Sequence, residues 1–185
     1  MKKQLVINFF GSPCTGKSTL ASWLFSELKA RNIKCEYVTE FAKDMTWENN
    51  LEALNYQQYI WGNQSWRMAR LKNKVDVIIT DSPLPLAIVY NKKRLKEPEF
   101  TKLVMQDFNE YNNLNIYLEV LDNYSDVGRN QNKDEAEQID TEIFHLLMGN
   151  FINVKIMRAD NPNVRDEILK LVIEKLKKYE MICEQ

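Results

Sequence analysis

Residues 11–18 read Gly-Ser-Pro-Cys-Thr-Gly-Lys-Ser, two glycines with four residues between them, followed at once by a lysine and a hydroxyl. That spacing suits one kind of chemistry. Glycines let the backbone wrap tightly, so that successive amides point inward at phosphate oxygens, and a following helix adds the partial positive charge of its N-terminus. Lys17 supplies a cation for the β- and γ-phosphates, and the Ser18 hydroxyl can ligate Mg²⁺. The expected triphosphate cradle comprises Gly11, Ser12, Pro13, Cys14, Thr15, Gly16, Lys17, Ser18 and Thr19.

Three further residues fall where such a cradle could use them. Asp81 closes the apolar run Val77-Ile78-Ile79-Thr80. A carboxylate there can hold magnesium or its water shell, although Asp81-Ser82-Pro83 is also a good helix start. Glu40 follows the apolar residues around Tyr37 and Val38 and could orient an acceptor hydroxyl or act as base; its other reading is a helix-capping acid. Arg129, in the polar stretch Asp126-Val127-Gly128-Arg129-Asn130, could close over a transferring phosphoryl group. Lys133 is a second candidate for that role.

The elements that must position these residues alternate. Apolar runs predict strands over 5–10, 34–39, 75–80, 115–121 and 153–157. Helical periods are predicted over 17–31, 43–54, 56–72, 84–91, 98–111, 135–148 and 164–179. In the helix over 56–72, Tyr56, Tyr59, Ile60 and Asn63 read as one face. The stretch 122–135 is polar and reads as a mobile lid. Strand–helix alternation implies an α/β fold, a five-stranded parallel sheet with helices on both faces, in one domain over 1–185. Ligands of such sheets bind beyond the carboxyl ends of the strands, where the residues singled out above fall.

Composition removes several alternatives. The net charge of −1 argues against a protein built chiefly to grip duplex DNA. From Gln64 to Val104 there are nine basic and four acidic residues, then ten acidic and two basic from Met105 to His145, an asymmetry suited to an anionic ligand. Cys14, Cys35 and Cys183 are far apart and His145 is the single histidine, so no zinc spacing exists. The first apolar run reaches Gly11 too soon for a signal peptide, and no run is long enough to span a membrane. A reducing, cytoplasmic setting, bacterial or phage-infected, is the expectation.

Asn73-Lys74-Val75-Asp76 matches the letters of a guanine-reading motif, but it precedes a strand rather than following one, with Asp76 placed inside that strand. It is set aside as coincidence. The segments 36–43, 59–67, 79–83 and 122–129 together resemble the ribosylnicotinamide kinase domain of the bacterial NadR protein and related P-loop kinases of bacteriophages. The likeness runs from about residue 4 to 178. It implies a nucleoside-kinase fold, ATP and Mg²⁺. Thr39-Glu40-Phe41 stands where that family has an arginine before an aromatic, and no adenylyltransferase domain is expected before the kinase-like segment.

The expected activity is transfer of the ATP γ-phosphoryl group to a nucleoside-type acceptor, with Glu40 or Asp81 orienting its hydroxyl. The alternatives are a nucleotide or DNA kinase acting on thymidylate or on hydroxymethyluracil in DNA, and a non-catalytic nucleotide-binding regulatory module. Of Phe41, Trp47, Tyr59, Trp61 and Trp66, one or two are expected to stack on a base. Arg67 and Arg70 could grip a phosphorylated acceptor, and Lys92, Lys93, Arg94 and Lys96 a nucleic-acid backbone. The segment Arg158 to Pro162 is the expected neighbour of adenine.

Overall fold

The computed structural model describes residues 4–91, 98–121, 133–150 and 152–181. The chain runs β1 (Leu5–Phe10), α1 (Lys17–Ala30), β2 (Cys35–Val38), α2 (Phe41–Trp47), a 3₁₀ turn (Leu51–Asn55), α3 (Gln57–Ala69), β3 (Val77–Thr80) and α4 (Leu86–Tyr90). It continues through α5 (Pro98–Phe108), β4 (Asn112–Leu118), α6 (Lys133–Gly149), β5 (Lys155–Met157) and α7 (Val164–Met181). The five strands form one parallel sheet in the order β2-β3-β1-β4-β5.

The central strand shows how the layers form. All six residues of β1 are buried, and their alternation divides two cores. Leu5, Ile7 and Phe9 pack with Leu20, Leu24 and Leu28 of α1 and Ile168 and Val172 of α7. On the other face, Val6 meets Met68 of α3 and Val104 of α5. Phe10 meets Phe108 of α5 and Ile143 and Leu147 of α6. Helices therefore cover both faces, as the α/β reading expects.

The crossovers leave the centre in opposite directions. From β1 the chain passes through α1 to β2 on one side; from β3 it passes through α4 and α5 to β4 on the other. The loop after β1 sits at this switch point, where parallel sheets open a crevice. Because β3 pairs directly with β1, with Asn8 opposite Thr80, the residue after Thr80 emerges beside that loop.

Several predicted boundaries need correction. β4 starts at Asn112 and ends at Leu118, three residues earlier than expected at each end. The start was hidden by asparagines: Asn8 Nδ2 donates to Asn113 Oδ1 and to Asn115 Oδ1, both at 2.9 Å, and Asn115 Nδ2 donates to the Asn153 carbonyl at 3.0 Å. Polar side chains that satisfy one another inside the sheet look like a loop in sequence. The helix expected over 43–54 is α2 plus the separate 3₁₀ turn. The inward face of α3 is Gln57, Ile60, Gln64 and Met68, while Tyr59 is 49% and Trp66 67% exposed. The expected lid over 122–135 falls mostly outside the described residues, which resume at 133 with the start of α6.

Candidate functional site

The loop from Gly11 to Gly16 has a backbone that its glycines make possible. Gly11 adopts φ 140° and Gly16 φ 88°, and Cys14 also lies at positive φ, 69°. A Cβ on Gly11 would stand 2.6 Å from the Leu118 carbonyl oxygen and 2.7 Å from Thr15 Oγ1. On Gly16 it would stand 2.7 Å from the Ala159 side chain. Conformation and space both exclude a side chain at these two positions. The second contact also places the segment after β5 against the cradle. In that segment Arg158 holds Asp160 through bonds of 3.1 and 2.8 Å, which keep the Asp160 carboxyl below its usual range.

The cradle is internally braced. Thr15 Oγ1 donates to the Ser12 carbonyl at 3.0 Å, and Lys17 Nζ donates to the same oxygen at 2.6 Å. Lys17 opens α1, with Gly16 as its N-cap and no side chain capping the exposed amides. Uncapped amides at a helix start are the kind of donor that an anion can use. A small cavity over the loop is lined by Cys14, Gly16, Lys17, Ser18, Glu40, Lys43 and Asp81. The structure thus brings Lys17, Ser18, Glu40 and Asp81 together. Arg129 lies outside the described residues.

Asp81 does not begin a helix. α4 starts five residues later, at Leu86, with Pro85 at its N-cap. Instead Asp81 is 6% exposed, and its Oδ1 has no hydrogen-bond partner among the described residues. Burial pushes its carboxyl above the ordinary value, while a hydrogen bond from the Tyr37 hydroxyl and the charges of Lys17 and Lys43 draw it back. The Tyr37 phenol is itself driven upward by burial and by Asp81. A buried carboxylate with an unmatched oxygen beside a hydroxyl is a hard-oxygen donor set that fits a magnesium ion. Ser18 and Asp81 are the residues that would hold it.

Glu40 occupies the N-cap position of α2, but its side chain makes no capping bond there. It borders the cradle cavity and also a larger pocket of about 230 Å³ beside it. Ile60, Leu84, Leu86 and Ala87 supply the apolar surface of this pocket, Trp61 and Tyr90 its aromatic surface, and Gln57 an amide. Trp61 meets Phe100 edge-on, with ring centroids 6.0 Å apart and planes at 88°.

One side chain links the two acids' neighbourhoods. Gln64 Oε1 accepts the Phe41 N–H at 2.9 Å, and its Nε2 donates to Thr80 Oγ1 at 3.4 Å. Phe41 follows Glu40, and Thr80 precedes Asp81, so Gln64 joins the start of α2 to the end of β3. Sequence reasoning missed Gln64, Lys43, Tyr37 and Tyr90. Gln64 and Tyr37 carry no signal of their own, whereas Lys43, a cation in the first turn of a helix, breaks the dipole rule and could have been noticed.

Other expectations do not reach the pocket. Of the five aromatics proposed for stacking, only Trp61 lines it; Phe41 packs on Tyr59 with centroids 5.4 Å apart. Arg67 is committed to Asp44 and to Thr39, with its guanidinium 4.9 Å from the Phe41 ring centroid. Arg70 donates to the Arg67 carbonyl, and neither arginine borders the pocket. Lys92, Lys93, Arg94 and Lys96 lie outside the described residues.

The guanine-reading letters fall at the amino ends of the strands, opposite the cradle. The Asn73 N–H donates to Oε1 of Gln4, just before β1, and the Gln4 amide donates to the Val75 and Asp76 carbonyls, just before β3. Asp76 precedes β3 rather than lying within it, as the sequence had suggested.

A comparison with known protein families matches residues 6–164 to an AAA domain. The chain belongs to that family. No curated protein matches the chain. This AAA domain is a P-loop nucleotide-binding domain with an α/β P-loop NTPase-like fold, and Gly11–Ser18 is its phosphate loop. Among the described residues no helix of the AAA domain is long and apolar enough to cross a membrane, and no cluster of His, Cys, Asp and Glu has metal-binding arrangement.

Proposed function

We propose that this protein is an ATP-dependent kinase acting on a nucleoside-type acceptor. The observation that carries this reading is the junction of two cavities. The phosphate cradle and the 230 Å³ pocket share Lys17, Glu40 and Lys43 along their common border. Simple hydrolysis needs room only for water, whereas a mixed apolar and aromatic pocket opening onto the phosphates suits a second organic substrate.

The cradle amides and Lys17 hold the triphosphate, and Lys17 exchanges its present bond to the Ser12 carbonyl for phosphate oxygens. Magnesium, when bound, neutralises charge on the β- and γ-phosphates. Glu40 borders both cavities, whereas Asp81 borders the cradle alone. That division assigns Glu40 to the acceptor hydroxyl, whose proton it accepts, and Asp81 to the metal side. Trp61 and Tyr90 present ring surface to a planar base, and Gln57 a polar contact.

An uncharged acceptor fits this pocket better than a phosphorylated one. Arg67, the described arginine nearest the start of α2, is held by Asp44, and the pocket's cations, Lys17 and Lys43, lie at its border with the cradle.

Transfer of radiolabel from γ-labelled ATP, screened against nucleosides, deoxynucleotides and hydroxymethylated DNA, tests the proposal. Label should appear on a nucleoside hydroxyl, and Lys17→Ala should abolish it with the fold intact. Tight nucleotide binding with no transfer to any acceptor would instead favour a regulatory nucleotide-binding module.

A further inference from the structure

Among the described residues, Lys17, Glu40 and Lys43 alone border both cavities. Lys17 belongs to the phosphate loop and Glu40 is the acid beside the acceptor. Lys43 has no part in either assignment. We propose that Lys43 is a second phosphoryl-binding cation, one that contacts the γ-phosphoryl group as it passes from ATP to the acceptor. This deepens the kinase reading and rests on it.

Three observations support the role. Lys43 is the third residue of α2, and a positive charge in a helix's first turn opposes the macrodipole, so the helix gains nothing from it. Among the described residues Lys43 forms no ion pair. The nearest arginine of α3, Arg67, is held by Asp44 one position further along α2 and does not substitute for it.

In the transfer step, the acceptor oxygen forms a bond to the γ-phosphorus while the bond from that phosphorus to the β,γ-bridging oxygen breaks. The electron pair leaves with ADP, and the hydroxyl proton passes to Glu40. Charge spreads over the three non-bridging oxygens midway between donor and acceptor. That midpoint is the border that Lys43 lines. It keeps its proton throughout and supplies charge stabilisation that strengthens as the phosphoryl group leaves ADP.

The test uses the full chain and a γ-phosphoryl mimic, so it needs no identified acceptor. Affinity for a fluorescent ADP is measured with magnesium, then with magnesium and aluminium fluoride. Wild type should bind more tightly when the mimic is present. Lys43→Met should bind ADP alone within about threefold of wild type but lose about ten- to a hundredfold of the aluminium fluoride gain, as expected for removing a charged transition-state contact. Lys43→Arg should restore most of that gain, and all three proteins should melt alike.

An unchanged gain in Lys43→Met overturns the proposal, as does an equal loss with ADP alone or a wild type indifferent to aluminium fluoride. Failure of the kinase reading shows separately, as absence of radiolabel on every acceptor tested with wild type.

Discussion

Replacing Asp81 by asparagine should stabilise the nucleotide-free protein while disabling it. The carboxylate is buried, its Oδ1 lacks a partner, and burial raises its pKa against the opposing pull of Tyr37 and Lys17. An unsatisfied buried polar group costs about 1–3 kcal/mol. An amide of the same shape removes the charge, though it keeps some desolvation cost, so a net gain of about 1–2 kcal/mol is expected. For a chain of this size that is a rise in Tm of about 2–8 °C.

The sign of the pH dependence follows from linkage. A carboxyl whose folded pKa is raised holds its proton longer in the folded state. Wild type therefore loses stability as pH rises from the ordinary carboxylate value of 3.8 through the raised one. The advantage of Asp81→Asn should be full at pH 7 and shrink as the pH is lowered through that window. Thermal melts in EDTA from pH 7 to pH 4, paired with radiolabel transfer at pH 7.5, measure both effects. Transfer should fall about a hundredfold or more, since the asparagine cannot serve as an anionic metal ligand. A variant that melts lower than wild type, or a difference unchanged by pH, would refute the reasoning and return Asp81 to a structural part.

Gly11→Ala should cost about 2–5 kcal/mol in urea denaturation, combining strain at positive φ with the clash against the Leu118 carbonyl, and should abolish binding of a fluorescent ATP analogue. Gln64→Leu leaves the buried Phe41 N–H without its acceptor, a loss of about 1–3 kcal/mol; phosphoryl transfer should fall more than ATP affinity does, as separate kcat and Kd measurements would show. Asn8→Leu leaves the Oδ1 atoms of Asn113 and Asn115 without their donor and should destabilise by about 2–4 kcal/mol while leaving nucleotide affinity unaltered. Denaturation and fluorescence titration together check that separation.

The phosphate loop was legible because its chemistry is local: Gly11 and Gly16 meet conformational demands that neighbours in sequence largely define. The strand and helix alternation was legible for a similar reason, since burial on both faces writes an unbroken apolar run such as Leu5–Phe10. What sequence concealed has one physical cause, the burial of amide side chains. Asn113 and Asn115 made the first half of β4 look like a loop, yet their Oδ1 atoms accept the Asn8 amide N–H groups across the sheet. Gln57 and Gln64 made the inward face of α3 look solvated, so Ile60 is grouped in sequence with Tyr56, Tyr59 and Asn63 rather than with its true neighbours Gln57, Gln64 and Met68. Periodicity counts an amide as polar whatever its partners, and its partners here are distant in sequence.

The Gln64 bridge limits how this scaffold can change its substrate. The residue shares α3 with Gln57, Ile60 and Trp61, which line the pocket, while its amide fixes the neighbours of Glu40 and Asp81. A tilt of α3 that enlarged the pocket would pull on both ends of that bridge and disturb the spacing of the acids. Retuning by shorter or longer side chains at Ile60, Trp61 or Leu86 leaves it untouched. Diversification toward new acceptors on this framework should therefore proceed by resurfacing the pocket, with the position of α3 held constant.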